Sequence, residues 1–389
     1  MRSTASSARP FSRQKSAKLP HTEVVRTPPK STNSPLRSRS PRIGLAAMAD
    51  EAIDQPNLEA WFSEHVPGAC PPLAFERISG GRSNLTYAVA DAAGKRWALR
   101  RPPLGKRLAS AHDMVREHRI ISALQETDVP VPPIVGLCED ESVNGAPFFV
   151  MDFVEGPILR SRAEAEQSVD EAQRRPIGER VVDTLVAIHA IDPDRVGLGD
   201  LGRKQDYVAR QLRRWHGQWE KSKTHDLPLI DDVHRRLSKR IPDQGAATIV
   251  HGDYRLDNMI LSDAGEVAAV VDWELCTLGD PLADVGMLIV YWSEAGDELM
   301  PLFEAPTTAP GFPSREEISE RYAQHSGRDL SEIDFYVALG WWKLAIILQG
   351  VYARYAAGQY GKADEGIERF AKIVEQLANA ADQAERRLG

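Results

Sequence analysis

Three oxygen-bearing side chains stand in order around one short predicted hairpin: Asp253, Asn258 and Asp272. The apolar residues between Asn258 and Asp272 flank an Asp-Ala-Gly turn at 263–265, a pattern that predicts two antiparallel strands. Antiparallel pairing returns the end of the second strand to the start of the first. Asn258 and Asp272 are therefore predicted to meet at the open end of the hairpin, with Asp253 on the loop just before it.

These residue types at this spacing suit phosphoryl transfer. Mg²⁺ takes few oxygen ligands from a protein and the rest from phosphates and water, which an amide and a carboxylate can supply. Asp253 lies where it could accept a proton from a substrate hydroxyl. The alternative is a structural hairpin with surface carboxylates, but the ordered set of all three residues favours the catalytic interpretation.

The motifs around these residues resemble the aminoglycoside phosphotransferase family, the small-molecule branch of the kinase-like fold. His-Gly-Asp at 251–253 with Asn258, Asp-Trp-Glu at 272–274 and Leu-Gly-Asp-Pro-Leu-Ala-Asp-Val-Gly at 278–286 carry the resemblance. It implies an α+β, two-lobed protein-kinase-like fold, with a small N-terminal antiparallel-sheet lobe and a larger, mainly helical C-terminal lobe.

The same resemblance implies the chemistry and its residues. The γ-phosphoryl group of ATP (GTP is possible) would pass, with Mg²⁺, to a hydroxyl group, with Asp253 as the base and Asn258 and Asp272 as metal ligands. Arg255 occupies the position of a lysine that neutralises the transferring phosphate in many kinases; alternatively, it is a surface arginine bracing the loop. We expect Asp284, like Asp280, to hold loop backbone rather than metal.

Upstream, a second predicted hairpin has the features of a nucleotide-binding element. Gly80, Gly81, Ser83 and Asn84 precede a strand-turn-strand that ends in Arg100. Glycines let the backbone approach phosphate oxygens, and the Ser and Asn side chains add donors. Arg100 takes the place of the usual kinase lysine, which leaves open whether it contacts the nucleotide or mainly braces a helix.

Two further nucleotide-side elements follow. Residues 111–125 predict a helix on which Glu117 shares the core-facing stripe, a costly position unless the carboxylate is paired. The resemblance supplies Arg100 as the partner; alternatively, Glu117 lies at the edge and reaches water. Residues 147–156 predict a buried strand running into a linker, where the resemblance implies backbone contacts to adenine from Asp152 and Val154.

The acceptor site is less well defined by the sequence. Leu-Arg-Arg-Pro-Pro at 99–103 resembles the kinase-like domains fused to some acyl-CoA dehydrogenases. The C-terminal region is aromatic and cationic, which favours an alcohol with an apolar or anionic portion, such as a hydroxyacyl thioester, over a polycationic aminoglycoside. Its residues are Tyr291, Trp292, Trp341, Trp342, Lys343, Gln349, Tyr352, Arg354, Tyr355 and Tyr360.

Alternatives remain at this point. Many of these aromatic residues can be core residues, and the nearby acids Glu294, Asp297 and Glu298 suggest a solvated loop. An aminoglycoside, choline- or homoserine-type kinase, or a catalytically silent nucleotide-binding scaffold, has the same fold; the complete catalytic set argues against the scaffold. We expect His189 to be a core or cap residue and His251 to position the catalytic loop.

Composition sets the remaining expectations. The 389 residues suit two lobes, and the three cysteines have no metal or disulfide spacing, which favours a reducing cytoplasm. No membrane span is expected, and the apolar segment near 341–351 predicts a buried helix. Residues 1–47 carry ten Lys/Arg against one acid and predict a disordered basic tail.

That tail has three interpretations: an extension upstream of a natural start at Met48, a basic tail that touches nucleic acid or membrane, or a transit peptide. We favour the first or a passive tail, and expect no specific nucleic acid partner. The predicted organisation is a tail at 1–47, a nucleotide-binding lobe at 48–154 and a catalytic and acceptor-binding lobe at 155–389.

Overall fold

A computed structural model describes residues 52–78, 84–103, 113–297, 305–357 and 367–388, which belong to one compact unit, Leu45–Gly389. The predicted tail at 1–47, the glycines of the predicted phosphate loop and Ser83 lie outside the described residues. The first lobe contains α1 (Gln55–His65), β1 (Ala74–Arg77), β2 (Leu85–Ala90), β3 (Arg96–Arg101), α2 (Met114–Leu124), β4 (Ile134–Cys138), α3 (Glu141–Asn144) and β5 (Phe148–Asp152).

The strands of this lobe form one antiparallel sheet in the order β1-β2-β3-β5-β4. Phe62 of α1, Trp97 of β3 and Phe148 of β5 are fully buried in a core between that helix and the sheet. Because side chains alternate along a strand, Arg100 falls on the opposite face from Trp97 and Leu99. This alternation turns Arg100 towards α2 and the second lobe.

Helix α2 begins where Asp113 caps it: the Asp113 side chain accepts a hydrogen bond from the Arg116 amide at 2.9 Å. The predicted helix at 111–125 is confirmed over 114–124. Met114, Glu117 and Ile121 are buried on one face, so the core-facing position predicted for Glu117 is confirmed.

The second lobe is mainly helical. Its elements are α4 (Arg162–Ser168), α5 (Glu171–Ala190), α6 (Tyr207–Ser222), α7 (Pro228–Leu237), β6 (Thr248–Val250), β7 (Met259–Leu261), β8 (Val267–Val270), β9 (Thr277–Gly279), α8 (Leu282–Tyr291), α9 (Arg315–Ser326), α10 (Ile333–Ala356) and α11 (Ile367–Arg386). The predicted boundary between residues 154 and 155 lies in the segment that joins β5 to α4.

Helix α5 begins earlier than the sequence suggests. Pro176 is typical of a first turn, but it lies inside α5, which starts at Glu171. The Gln173 side chain accepts a hydrogen bond from the Asp170 amide at 3.3 Å, so a local cap starts the helix before the proline.

Two short antiparallel pairs carry the catalytic motifs. Strands β7 and β8 form the predicted hairpin, with Met259 opposite Val270. Strands β6 and β9 pair beside it, with Val250 opposite Thr277. Helix α10 is long and apolar enough to cross a membrane by length and composition, but 67% of its most apolar window is buried within the protein. The helix predicted near 341–351 is therefore a core helix.

Candidate active site

A cavity of about 590 Å³ lies between the sheet and the catalytic hairpin. All the predicted site residues that the structure describes line it: Asn84, Arg100, Glu117, Asp152, Val154, Asp253, Arg255, Asn258 and Asp272. The remaining three, Gly80, Gly81 and Ser83, lie outside the described residues. Segments up to 188 residues apart, from Asn84 to Asp272, thus contribute to one site.

The catalytic loop begins as β6 ends at Val250. His251 and Gly252 are buried, and their amides donate hydrogen bonds to the two oxygens of Asp284, at 2.6 and 2.8 Å. Burial opposes ionisation of Asp284, but the His189 hydrogen bond and the Gly252 amide prevail and lower its pKa. Asp284 holds loop backbone, as expected.

Two side chains orient Asp253 within this loop. The buried His251 ring lies 3.1 Å from the Val271 carbonyl oxygen through Nε2 and accepts the Asp253 amide at Nδ1, at 3.3 Å. The Asn258 side-chain nitrogen donates to the Asp253 carbonyl at 2.8 Å and to its carboxylate at 3.2 Å. His251 therefore positions the loop, as expected.

The donor chemistry of Asn258 fits a hard cation. Its side-chain nitrogen is occupied by Asp253, so its carbonyl oxygen is the atom left for a ligand. Asp272 follows β8 with φ of +67°, an uncommon backbone conformation for a residue other than glycine. Both residues line the cavity, and together they offer the amide and carboxylate oxygens that Mg²⁺ prefers.

Arg100 connects the two lobes by ion pairs. It lies 2.9 Å from Glu117, 2.6 Å from Asp272 and 3.8 Å from Glu274. Burial would lower the Arg100 pKa, but Glu117 and then Asp272 offset burial and raise it. The Arg100–Glu117 pair predicted from the resemblance is present, and the alternative in which Glu117 reaches water is wrong.

Glu274 is a site residue that the sequence analysis missed. It pairs with Arg100 and accepts a hydrogen bond from the Asn84 side chain at 3.0 Å. Asn84 therefore contacts a carboxylate across the cleft in this structure. The motif Asp-Trp-Glu already contained the third carboxylate, so attention to its last residue could have found it.

Arg255 lies against Tyr291, a second missed residue. Its guanidinium is 4.7 Å from the centre of the Tyr291 ring and pairs with Asp257. The Tyr291 side chain lies beside Asp253 and Arg255, and burial and then the Asp253 charge raise its pKa. Arg255 is therefore not a free surface side chain, and α8 reaches Asp253 through the tyrosine at its end.

The predicted backbone contact of Asp152 with a nucleotide is corrected for its amide. The Asp152 amide donates to the Pro133 carbonyl at 2.8 Å, so that N–H is not available to a nucleotide. Asp152 and Val154 both line the cavity. The interruption arises because the segment before β4 returns to the end of β5, a tertiary contact that no local pattern announces.

Glu294 and Asp297 lie in a partly exposed loop after α8, as expected, and both contact Arg315 at the start of α9. Glu294 accepts the Arg315 amide at 2.7 Å, and Asp297 pairs with the Arg315 guanidinium. Glu298, like Tyr360, lies outside the described residues. Trp342 is buried and donates to the Ile230 carbonyl at 2.9 Å, so it is a core residue.

His189 is a core residue, as expected. It is buried, with one ring nitrogen 2.7 Å from the Tyr322 hydroxyl and the other 3.4 Å from Asp284. Burial lowers its pKa, against the attraction of Asp284. The histidine supports the carboxylate that holds the catalytic loop.

A five-stranded antiparallel lobe above a helical lobe, with the His-Gly-Asp loop and the Asp-Trp-Glu hairpin at their junction, defines a protein-kinase-like phosphotransferase. The model of the phosphotransferase enzyme family matches residues 74–336, and the chain belongs to that family.

Similar proteins support the same assignment. Acyl-CoA dehydrogenase family member 10 of Mus musculus is 35% identical over 339 residues, which cover 86% of this chain and 31% of the mouse protein. The chain thus matches about a third of that relative's length. The resemblance to acyl-CoA dehydrogenase-linked sequences is confirmed.

Solved structures share the fold. A Ralstonia eutropha JMP134 protein, described as a proposed aminoglycoside phosphotransferase, has a TM-score of 0.73 and 33% identity, covering 86% of this chain and 98% of that one. Choline kinase from Cryptosporidium parvum Iowa II has a TM-score of 0.61 at 14% identity, covering 86% and 96%. The two-lobed α+β fold is confirmed.

Proposed function

We propose that this chain transfers the γ-phosphoryl group of ATP, with Mg²⁺, to the hydroxyl group of a small molecule. The observation that supports it best is the convergence of Asp253, Asn258 and Asp272 on one cavity with Arg100. GTP could replace ATP, since no contact described here distinguishes the two bases. A silent scaffold is the weaker candidate, because the three residues and their supporting hydrogen bonds are all in place.

Each residue has a distinct proposed role. Asp253, oriented by Asn258 and Tyr291, accepts the proton of the acceptor hydroxyl. Oxygens of Asn258 and Asp272 would hold Mg²⁺, which would supply positive charge against the phosphates. Arg255 offers a positive charge next to Asp253, where the transferring phosphoryl group would pass.

On the nucleotide side, Arg100 is a phosphate ligand that Glu117 holds in place. Gly80 and Gly81, with Ser83 and Asn84, are proposed to cover the phosphates. The linker residues Asp152 and Val154 border the adenine site, with Val154 as the stronger candidate for a backbone contact because the Asp152 amide is engaged.

The acceptor is proposed to be an alcohol with an apolar or anionic portion, such as a hydroxyacyl compound. An aminoglycoside is a polycation and needs free carboxylates, whereas Asp257 is paired with Arg255, and Asp297 with Arg315. Lys343 and Arg255 add positive charge around Asp253. We also propose a cytoplasmic location, since the buried Cys138 and Cys276 are free thiols.

The test is a screen of the purified protein with ATP or GTP and Mg²⁺ against hydroxyacyl-CoAs, amino alcohols and aminoglycosides, with phosphorylated product detected by mass spectrometry. We expect transfer to a hydroxyacyl compound and no kanamycin product above background. A kcat/KM for kanamycin of about 10⁴ M⁻¹s⁻¹ or more, as in ordinary enzymes, would overturn the acceptor class. Nucleotide binding without transfer to any acceptor would favour the scaffold.

A further inference from the structure

One contact joins the catalytic loop to the long core helix. The Lys343 ammonium, on α10, donates a hydrogen bond to the carbonyl oxygen of Gly252 at 2.8 Å. Gly252 immediately precedes Asp253. Lys343 thus acts on the peptide that carries the proposed base, from a helix 91 residues further along the chain.

The Gly252 peptide has little freedom once this contact is made. Its amide is held by Asp284 at 2.8 Å, and its φ of +87° favours glycine. A Cβ at this position would lie 2.9 Å from the Leu275 carbonyl oxygen, closer than van der Waals contact allows. The amide, the carbonyl and the α-carbon are therefore all constrained, and their geometry sets where the Asp253 side chain begins.

The surroundings of Lys343 are unfavourable for a cation. Within the described ranges it forms no ion pair, and its nitrogen is 5.5 Å from the centre of the Trp215 ring. Burial lowers its pKa, although the charges of Asp253 on the loop and Asp284 on α8 raise it; Arg214 on α6 lowers it further. Lys343 is half-buried, and a partly desolvated charge without an ion-pair partner costs stability; such groups concentrate at functional sites.

We propose that Lys343 is a positioning residue for phosphoryl transfer: it fixes the Gly252 carbonyl and so directs Asp253 towards the acceptor hydroxyl. This role rests on the proposed function. Lys343 acts through Gly252 and Asp253 and does not line the nucleotide cavity, so its effect falls on transfer and not on nucleotide binding.

The experiment compares Lys343→Met with Gln349→Met. The sequence placed Gln349 in the acceptor region, but the structure makes it a core residue of the same helix: it is fully buried and donates to the Ser222 carbonyl at 2.8 Å and to the Thr224 hydroxyl at 3.1 Å, not to the catalytic loop. Both variants lose a helix-to-backbone hydrogen bond, so the control reports the structural cost alone. Melting temperature, the Kd for Mg²⁺-ATP and the kcat and KM for the acceptor found in the screen are measured for each.

For Lys343→Met we expect kcat to fall about tenfold to a hundredfold, the usual effect of losing a hydrogen bond to a charged group. The Kd for Mg²⁺-ATP should stay within about twofold of the parent, so the loss should fall on kcat. Lys343→Arg, which keeps charge and donors, should recover most of kcat. Gln349→Met should keep the parental kcat.

A Lys343→Met protein with parental kcat would show that the lysine only stabilises the fold. An equal kcat loss in Gln349→Met would lead to the same conclusion. If the Met variant does not fold, Lys343→Gln, which keeps a polar group but not the charge, replaces it with the same expected loss of kcat. If the parent itself transfers no phosphoryl group to any acceptor, the proposed function fails and the positioning role fails with it.

Discussion

The charged groups are arranged differently on the two sides of the cleft, the proposed nucleotide side around Arg100 and the proposed acceptor side around Asp253. On the nucleotide side, Arg100 is shared among Glu117, Asp272 and Glu274, so each carboxylate that borders the phosphate region has a cation nearby. On the acceptor side, Tyr291 and Lys343 act on the Asp253 loop from two helices. The nucleotide side is organised by compensated ion pairs, and the acceptor side by hydrogen bonds that fix one carboxylate. The two sides should therefore fail differently when altered.

The largest effect is expected for Asp272→Asn. Asparagine tolerates the positive φ at this position, so the substitution removes charge with little backbone strain. Both the Arg100 ion pair and a proposed metal ligand are lost, and we expect turnover to fall beyond about 10⁴-fold, the upper range for loss of a general base. Calorimetry with ATP, with and without Mg²⁺, should show that the metal-dependent part of the affinity is gone.

The next largest effect is expected for Asp253→Asn. Single-turnover transfer should slow by about 10²–10⁴-fold, while Mg²⁺-ATP affinity stays close to that of the parent, because the proposed role of Asp253 is towards the acceptor and not the metal. The pair of Asn variants thus separates the two sides of the cleft. Normal turnover in Asp253→Asn, or unchanged Mg²⁺-ATP binding in both variants, would make the hairpin a structural element and the comparison wrong.

A smaller effect is expected for Arg100→Lys. The charge remains, but an ammonium cannot hold Glu117 through Nε and Asp272 through a terminal nitrogen with the geometry of a guanidinium. We expect about tenfold weaker Mg²⁺-nucleotide binding, which corresponds to about 1.4 kcal/mol. Arg119→Lys, on an exposed pair with Asp200 from the same helix as Glu117, is the control and should bind as the parent does. Equal affinities in both variants would remove Arg100 from the phosphate site.

The smallest effect is expected for the pH dependence of stability, through His189, which contacts Asp284 below the catalytic loop. Burial places the folded-state pKa of His189 below its ordinary 6.5, so the unfolded chain binds a proton that the folded chain does not. Stability should therefore be full above about pH 6.5 and fall as pH decreases below it, by about 1.4 kcal/mol for each pH unit until the folded-state pKa is reached. Urea unfolding between pH 7.5 and 5.5 measures this. His189→Gln should flatten the dependence of stability on pH. An unchanged slope in that variant would mean that another titrating group causes the dependence.

Local patterns predicted the nucleotide side well. The hairpin between Asn258 and Asp272, the buried position of Glu117 and the strand that carries Arg100 follow from periodicity, turn residues and motif spacing. Each of these features is fixed by a short stretch of sequence. The resemblance then supplied the pairing of Arg100 with Glu117.

The acceptor side could not be predicted in the same way. Lys343 reaches the Gly252 carbonyl and Tyr291 lies beside Asp253 only because α8 and α10 pack beside the catalytic loop, and no sequence pattern records that packing. The partly exposed loop expected for Glu294 and Asp297 is present, but the sequence did not indicate that Arg315 binds both residues from the start of α9. Isolated charges in a sequence suggest solvent, and their partners become known only when the chain is folded.

Helix α10 holds two points of this site at a fixed separation. The Tyr336 hydroxyl donates to Asp280, after β9, at 2.6 Å, and Lys343 donates to Gly252, after β6. Seven residues of helix span about 10.5 Å and nearly two turns, so both side chains leave the same face. The helix therefore fixes both the distance and the rotational angle between Tyr336 and Lys343. Inserting one residue between them would rotate Lys343 by about 100° away from the loop, although the hydrophobic composition of the helix would hardly change.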